Sequence, residues 1–160
     1  MTSPVNQSDW RIRSAGDEDL EAVVGIHALH RQLPLPPVPS VDERATWQRM
    51  MNTPDLTVYI AEIASRPVGT ATTMIMPNIV YDCAPTLFVE AVVVVPDFRR
   101  RGIATAIMQR VLSDARVAGC NKVQLLSHKR HAEDGAHSLY YRLGFNAEAE
   151  GFRLYLRTRS

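Results

Sequence analysis

The sequence predicts a mixed α/β fold, and three stretches of its 160 residues carry the prediction. Residues 57–63 and 68–76 are β-rich runs meeting at Arg66-Pro67, a β-hairpin in outline. Residues 87–95 have almost no polar member, as a central strand covered on both faces requires. A helical stretch at 103–118 and a strand at 122–126 follow. A strand–helix–strand crossover makes its two strands parallel. A hairpin and a parallel pair in one chain describe a mixed sheet with helices against it.

The remaining elements follow in order. Residues 10–14 read as a short strand. A helix then starts at Gly16 or Asp17, carrying Leu20, Val23, Val24, Ile26 and Leu29 at helical spacing. It stops before Arg31, because Pro34, Pro36, Pro37 and Pro39 lock an extended loop. Ser40 and Asp42 offer caps to a second helix over 41–51. In the helix over 103–118, Ile103, Ile107 and Val111 share one face, and Gly119 closes it as a C-cap. Residues 135–142 read as a short helix, and the alternation over 152–156 reads as a final strand. Met50, Met51, Met74 and Met76 read as core filler.

Composition narrows the function classes. Hydrophobic and charged fractions of 46% and 22% are those of an ordinary globular protein, and the length fits one domain over 1–160. A net charge of +1 gives no support to a nucleic-acid or membrane partner. Two cysteines, Cys83 and Cys120, cannot make a disulfide framework and read as reduced thiols. No apolar run approaches membrane-spanning length, and the polar start is unlike a signal peptide, so a soluble cytoplasmic protein is expected. His27, His30, His128 and His131 have no convergent carboxylate or cysteine set, so no metal is expected.

The most informative segment is the junction of the central strand with its helix. The strand runs into Pro96, then Arg99, Arg100 and Arg101, then Gly102-Ile103-Ala104 and Thr105. The first turn of a helix has backbone N–H groups without intrahelical partners, and the helix dipole favours an anion there. Gly102 and Ala104 keep the backbone bare, and the arginines add positive charge. This is the pattern of a cradle for a diphosphate. The bland alternative is an ordinary strand-to-helix turn with solvated arginines.

Arg99, Gly102 and Ala104, placed after a valine-rich strand end, resemble the R-x-x-G-x-A acyl-CoA signature of the GNAT superfamily of N-acetyltransferases. The run Leu139-Tyr140-Tyr141-Arg142-Leu143-Gly144-Phe145 is similar to that family's Tyr-x-x-x-Gly-Phe element. The opening from Ile12 through Leu20 resembles its first strand and helix start. The matches come in the family's order and together cover nearly the whole chain. The resemblance implies a mostly antiparallel sheet whose central parallel pair splays to admit acyl-CoA. It also implies acetyl-CoA as donor, CoA as product and a small-molecule or peptide amine as acceptor, with a homodimer as an option. By the same resemblance the backbone of Val92, Val93 and Val94 would pair with the pantetheine arm, and amides from Arg100 through Thr105 would meet the diphosphate.

Acetyl transfer to an amine also needs a base for the amine and an acid for the leaving thiolate. Tyr140 falls where the family commonly carries its acid, and a phenol is protonated at neutral pH. The alternative is that it only packs near the sulfur. Tyr141 points elsewhere on a helix. Glu90 is the one charge in the apolar strand, where desolvation would raise its pKa toward that of a base. It could instead bind a cationic amine or sit in a salt bridge. His128, just past the following strand, is the second candidate base, against the plain reading of an exposed loop histidine. Glu133 stands where many relatives carry an asparagine that contacts the cofactor arm, so that contact is not expected here. A non-catalytic acyl-CoA-binding module would keep the cradle and need neither acid nor base. The string from Arg31 to Pro37 also matches a ligand pattern for SH3-type grooves, and the sequence reading prefers a proline-stiffened wall for the acceptor.

Overall fold

Five strands lie side by side in chain order in a computed structural model that describes residues 10–34 and 38–157. The chain divides after Leu125 into two compact units. The first holds the sheet: β1 (Trp10–Ser14), β2 (Leu56–Ile63), β3 (Arg66–Met76), β4 (Thr86–Val94) and β5 (Lys122–Leu125). Its helices are α1 (Leu20–His30), α2 (Val41–Met51) and α3 (Ile103–Val117). Neighbouring strands are antiparallel except β4 and β5, which are parallel, as the crossover through α3 demands. The mixed, mostly antiparallel sheet and its parallel β4–β5 pair are as the sequence predicts, but among the described residues the pair closes the sheet rather than lying at its centre, with β5 as the edge strand.

Local chemistry explains the boundaries. Ser40 caps α2: its Oγ accepts from the Glu43 amide at 3.1 Å while the Glu43 carboxylate accepts from the Ser40 amide at 2.8 Å. Gly119 ends α3 in a left-handed conformation, φ 69°, and the next amide, Cys120, returns to the Ala115 carbonyl at 2.9 Å. The β2–β3 turn falls at Ala64-Ser65, both at positive φ, rather than at Arg66-Pro67. Arg66 is already paired with Ile63, and Pro67 sits at a register irregularity, where its missing N–H is tolerated.

The core lies where α3 meets the sheet: Ile107, Met108 and Val111 are fully buried along with Ile60, Val68 and Ala71. A second cluster of Leu20, Trp47 and Val58 gathers Met50 and Met51 against it. Met74 and Met76 do not serve as filler, being 38% and 45% exposed at the end of β3. The Tyr59 hydroxyl, on a residue 2% exposed, donates to Asp114 at 2.9 Å. Arg110 holds the same carboxylate and donates to the Ile12 carbonyl, which ties α3 to the far strands.

The second unit contains a 3-10 turn (Lys129–Ala132) and α4 (Ala136–Arg142). The expected strand over 152–156 does not form. Phe152, Leu154 and Leu156 are 88%, 84% and 89% exposed, and the intervening Tyr155 is 64% exposed. Alternation makes a strand only when one face is buried and the ladder has a partner, and here neither parity is covered. The polar start over 1–9 and Leu35, Pro36 and Pro37 of the proline string lie outside the described residues.

Candidate functional site

The β4–α3 junction gathers all the expected cradle residues in the first unit. Parallel pairing of β4 with β5 covers Thr86 to Val89, where Val89 meets Leu125, and β5 ends there. From Glu90 to Val94 the pairing of β4 is with β3: Glu90 with Thr72, Val93 with Thr70 and Val94 with Gly69. Among the described residues, the opposite edge of Val92, Val93 and Val94 carries no strand partner, which is the gap a splayed pair would leave.

That stretch also contains a feature that no sequence signal announced. The register moves from Thr72–Glu90 to Thr70–Val93, so Ala91 and Val92 together face Ala71, a β-bulge. Ala91 takes up the distortion at φ 53°, a conformation uncommon for a residue with a side chain. Glu90 and Ala91 are exposed between the buried Val89 and Val93. The burial expected of Glu90 is therefore absent: its strand is apolar, but its own side chain is exposed beside the bulge.

Past Val94 the chain makes a short 3-10 turn (Pro96–Phe98) and enters α3 with Arg100 at φ 60° and Gly102 at φ 83°. The first α3 bond runs from the Ala106 amide to the Gly102 carbonyl at 2.9 Å, so the amides of Ile103, Ala104 and Thr105 precede the intrahelical ladder. Gly102 is required twice over. Its φ is left-handed, and a Cβ there would stand 3.1 Å from Cη2 of Trp10. The crowding thus comes from an aromatic ring behind the turn, a residue the sequence reading left out.

Arg99 and Arg101 do different things. Arg99 donates from Nε to the Val94 carbonyl at 3.2 Å, and its Nη2 lies 3.0 Å from Nδ1 of His30. Arg101 stacks on the Phe98 ring at 5.0 Å, and Arg66 from the start of β3 stacks on the same ring at 5.1 Å. Arg66 therefore adds a fourth guanidinium to the cradle rim, from a place 35 residues before Arg101 in the sequence.

Tyr140 and His128 belong to the second unit. Tyr140, on α4, is half-buried, and its ring meets Phe145 edge-on at 5.8 Å. Burial, and then the nearby Asp134 carboxylate, push its phenol above the ordinary value, so the hydroxyl keeps its proton throughout the neutral range. Tyr141 is 57% exposed, in keeping with its expected different direction. His128 is exposed and its Nδ1 accepts from the Arg130 amide at 3.1 Å, capping the 3-10 turn. Its pKa is held below the usual histidine value by desolvation first, then by Arg130 and Arg153. Glu133 is exposed just before Asp134, which pairs with His131. Among the described residues no group of three or more histidine, cysteine or acidic side chains is placed to hold a metal ion. Among the same residues no helix is long and apolar enough to cross a membrane.

Comparison with known proteins bears on this geometry. The sequence model of the acetyltransferase (GNAT) family matches residues 23–145. An aminoglycoside N(6')-acetyltransferase type 1 from Acinetobacter genomosp. 13 is 35% identical over 63 residues, 39% of this chain and 42% of that protein. The match thus spans well under half of that curated relative. A candidate acetyltransferase from Agrobacterium tumefaciens str. C58 superposes with a TM-score of 0.82 at 28% identity, covering 91% of this chain and 99% of its own. An aminoglycoside N-acetyltransferase solved in complex with CoA shares the fold, with a TM-score of 0.72 at 24% identity, over 94% of this chain and 95% of its own.

Proposed function

This chain belongs to the acetyltransferase (GNAT) family, and we propose that it transfers an acetyl group from acetyl-CoA to a primary amine of a small molecule by direct attack in a ternary complex. One observation carries the reading. Among the described residues the edge of β4 from Val92 to Val94 has no strand partner, and past the Val94 carbonyl, which Arg99 holds, it leads to the amides of the first α3 turn. An extended amide-bearing arm ending in a diphosphate, which is the shape of CoA, is complementary to that sequence of donors and acceptors. The arm would add to the sheet edge by main-chain hydrogen bonds, and the diphosphate would take the amides from Arg100 to Thr105.

In the reaction the amine nitrogen bonds to the thioester carbonyl carbon, the carbon–sulfur bond breaks, and one proton passes from nitrogen toward sulfur. Main-chain N–H at the Ala91–Val92 bulge suits the oxyanion, because a bulge leaves one residue outside the ladder with its donor already oriented. Tyr140, with its raised pKa, is the assigned acid. Glu90 is the assigned base, directly or through water, since it stands exposed beside the bulge. His128 is the weaker candidate, as one of its ring nitrogens already serves as a cap.

We take the two compact units as one acetyltransferase domain, because the family match crosses from one to the other. The aminoglycoside named for the curated relative makes polyamine sugars the first acceptors to test. The experiment is calorimetric titration with CoA, followed by thiol release from acetyl-CoA across a panel of amino sugars, amino acids and lysyl peptides. Micromolar CoA affinity with turnover on at least one amine is expected. No affinity for CoA would remove the assignment, and affinity without turnover on any amine would make this a binding module.

A further inference from the structure

Arg99 opens the signature run, yet its exposed guanidinium is engaged by the protein's own acceptors rather than held out as a phosphate hook. One donor, Nε, reaches the Val94 carbonyl at the end of β4, and another, Nη2, lies 3.0 Å from Nδ1 of His30. His30 is the last residue of α1 and stands 69 positions earlier in the chain. A guanidinium has donors only, so in this contact Nδ1 of His30 is the acceptor. One planar fork therefore joins three segments: the end of α1, the end of β4 and the turn that carries the cradle.

That turn needs holding. Between Val94 and Ile103 its regular structure is a single three-residue 3-10 turn, and Arg100 and Gly102 both take left-handed backbone conformations. Side-chain carriers rarely adopt such conformations unless neighbours enforce them. Trp10 packs against Gly102. Arg99 supplies a second restraint through the Val94 carbonyl, but a long flexible side chain restrains only if its far end is fixed, and His30 fixes it. A cradle left loose must be ordered at the moment of binding, and that cost is subtracted from affinity.

We infer that His30 is a positioning residue of the CoA cradle, holding Arg99 so that the turn presents its amides already arranged. The inference rests on the acetyl-CoA reading above. It differs from that reading in locating an affinity determinant on α1, outside the signature. The same contact ties the cradle to the last residue of α1.

The test is CoA titration and acetyl-CoA steady-state kinetics on the full chain, comparing the parent with His30→Ala, His30→Asn and Arg99→Lys. A hydrogen bond from a charged donor at an exposed site predicts CoA binding about fivefold to tenfold weaker in His30→Ala. That loss should fall on KM for acetyl-CoA and not on kcat. Asparagine offers an amide oxygen close to the Nδ1 position, so His30→Asn should bind within about twofold of the parent. Lysine cannot bridge two acceptors as a planar fork does, so Arg99→Lys should lose affinity, and adding His30→Ala to it should cost nothing more. Parent-like CoA affinity in His30→Ala overturns the inference, as does an Asn variant as weak as the Ala variant. A parent that binds no CoA overturns the cofactor reading itself, and the titration of the unaltered chain distinguishes that failure.

Discussion

The β4–α3 junction and the segment after Leu125 are built on different principles. The junction offers main chain: a strand edge without a strand partner among the described residues, a bulge and a helix start, all within residues 88–105 and all beside buried residues such as Val93, Val95 and Ile103. The later segment offers side chains, namely Tyr140 on a seven-residue helix and His128 on a 3-10 turn, followed by an uncovered stretch at 151–157. Recognition of a donor shared across a family can be written in consecutive residues. Acceptor chemistry has to be assembled from separate ones.

The largest effect should come from the main-chain side. Gly102→Val forces a branched residue into φ 83° and places its Cβ 3.1 Å from Trp10. Left-handed strain in a β-branched residue costs about 1–3 kcal/mol, with displacement of the turn in addition. CoA affinity should fall by about a hundredfold or more, since 1.4 kcal/mol is a factor of ten. Calorimetry reads the affinity and a thermal melt reads the fold. A variant that binds normally would show that the amides are not what grips the diphosphate.

Tyr140→Phe is the counterpart on the side-chain side, and its loss should fall elsewhere. Removing a general acid costs on the order of a hundredfold in kcat, while CoA affinity should stay within about twofold of the parent because the ring and its packing on Phe145 remain. The raised phenol also fixes a pH dependence: no loss of activity from ionisation of this acid is expected until the pH exceeds its ordinary value. If Tyr140→Phe instead weakened CoA binding and spared kcat, the division of labour between the two regions would be reversed.

The contrast also explains what was legible in the sequence. The apolar run of β4, the amphipathic α3 and the Gly119 cap are local patterns, and the structure repeats them within a residue or two. The parallel pairing followed from topology alone. The bulge at Ala91 left no trace, because alanine is unremarkable there and the strain is imposed by register with β3. Trp10, Arg66 and His30 were equally invisible as cradle neighbours, since each arrives from a distant element by tertiary packing. Glu90 misled for a related reason: composition gives the average environment of a strand, not which way one side chain points once a bulge has shifted the pleat. Phe152 to Leu156 shows the converse failure, a correct period with nothing to cover it.

Tyr59 tests how firmly the first unit holds its own helix. Burial first, and then the Asp114 carboxylate, push its phenol up to about 12. The folded state therefore keeps a proton that the unfolded chain releases near 10. This contribution is complete below pH 10 and is lost as the pH rises through about 12. Two pKa units correspond to about 2–3 kcal/mol, so denaturant midpoints should fall steeply across that window. Tyr59→Phe should flatten the fall while costing about 1 kcal/mol at neutral pH for the lost hydrogen bond. A parent whose stability is flat from pH 10 to 12 would mean that the Tyr59–Asp114 tie does not hold α3 in solution.

The smallest effects decide between the two candidate bases, which lie on opposite sides of the comparison. Glu90 stands beside the bulge in the first unit, and His128 caps a turn in the second. Glu90→Gln keeps the size and polarity of the side chain and removes the proton acceptor. A base working through water should lose about tenfold in kcat/KM on that change, a tenth of what a directly placed base supplies. His128→Asn keeps an oxygen able to accept from the Arg130 amide, so the turn retains its cap and turnover should move by less than about twofold. Should His128→Asn lose the tenfold and Glu90→Gln keep parent-like turnover, proton removal belongs to the second unit. The first would then be a binding scaffold alone, with all of its chemistry in the main chain.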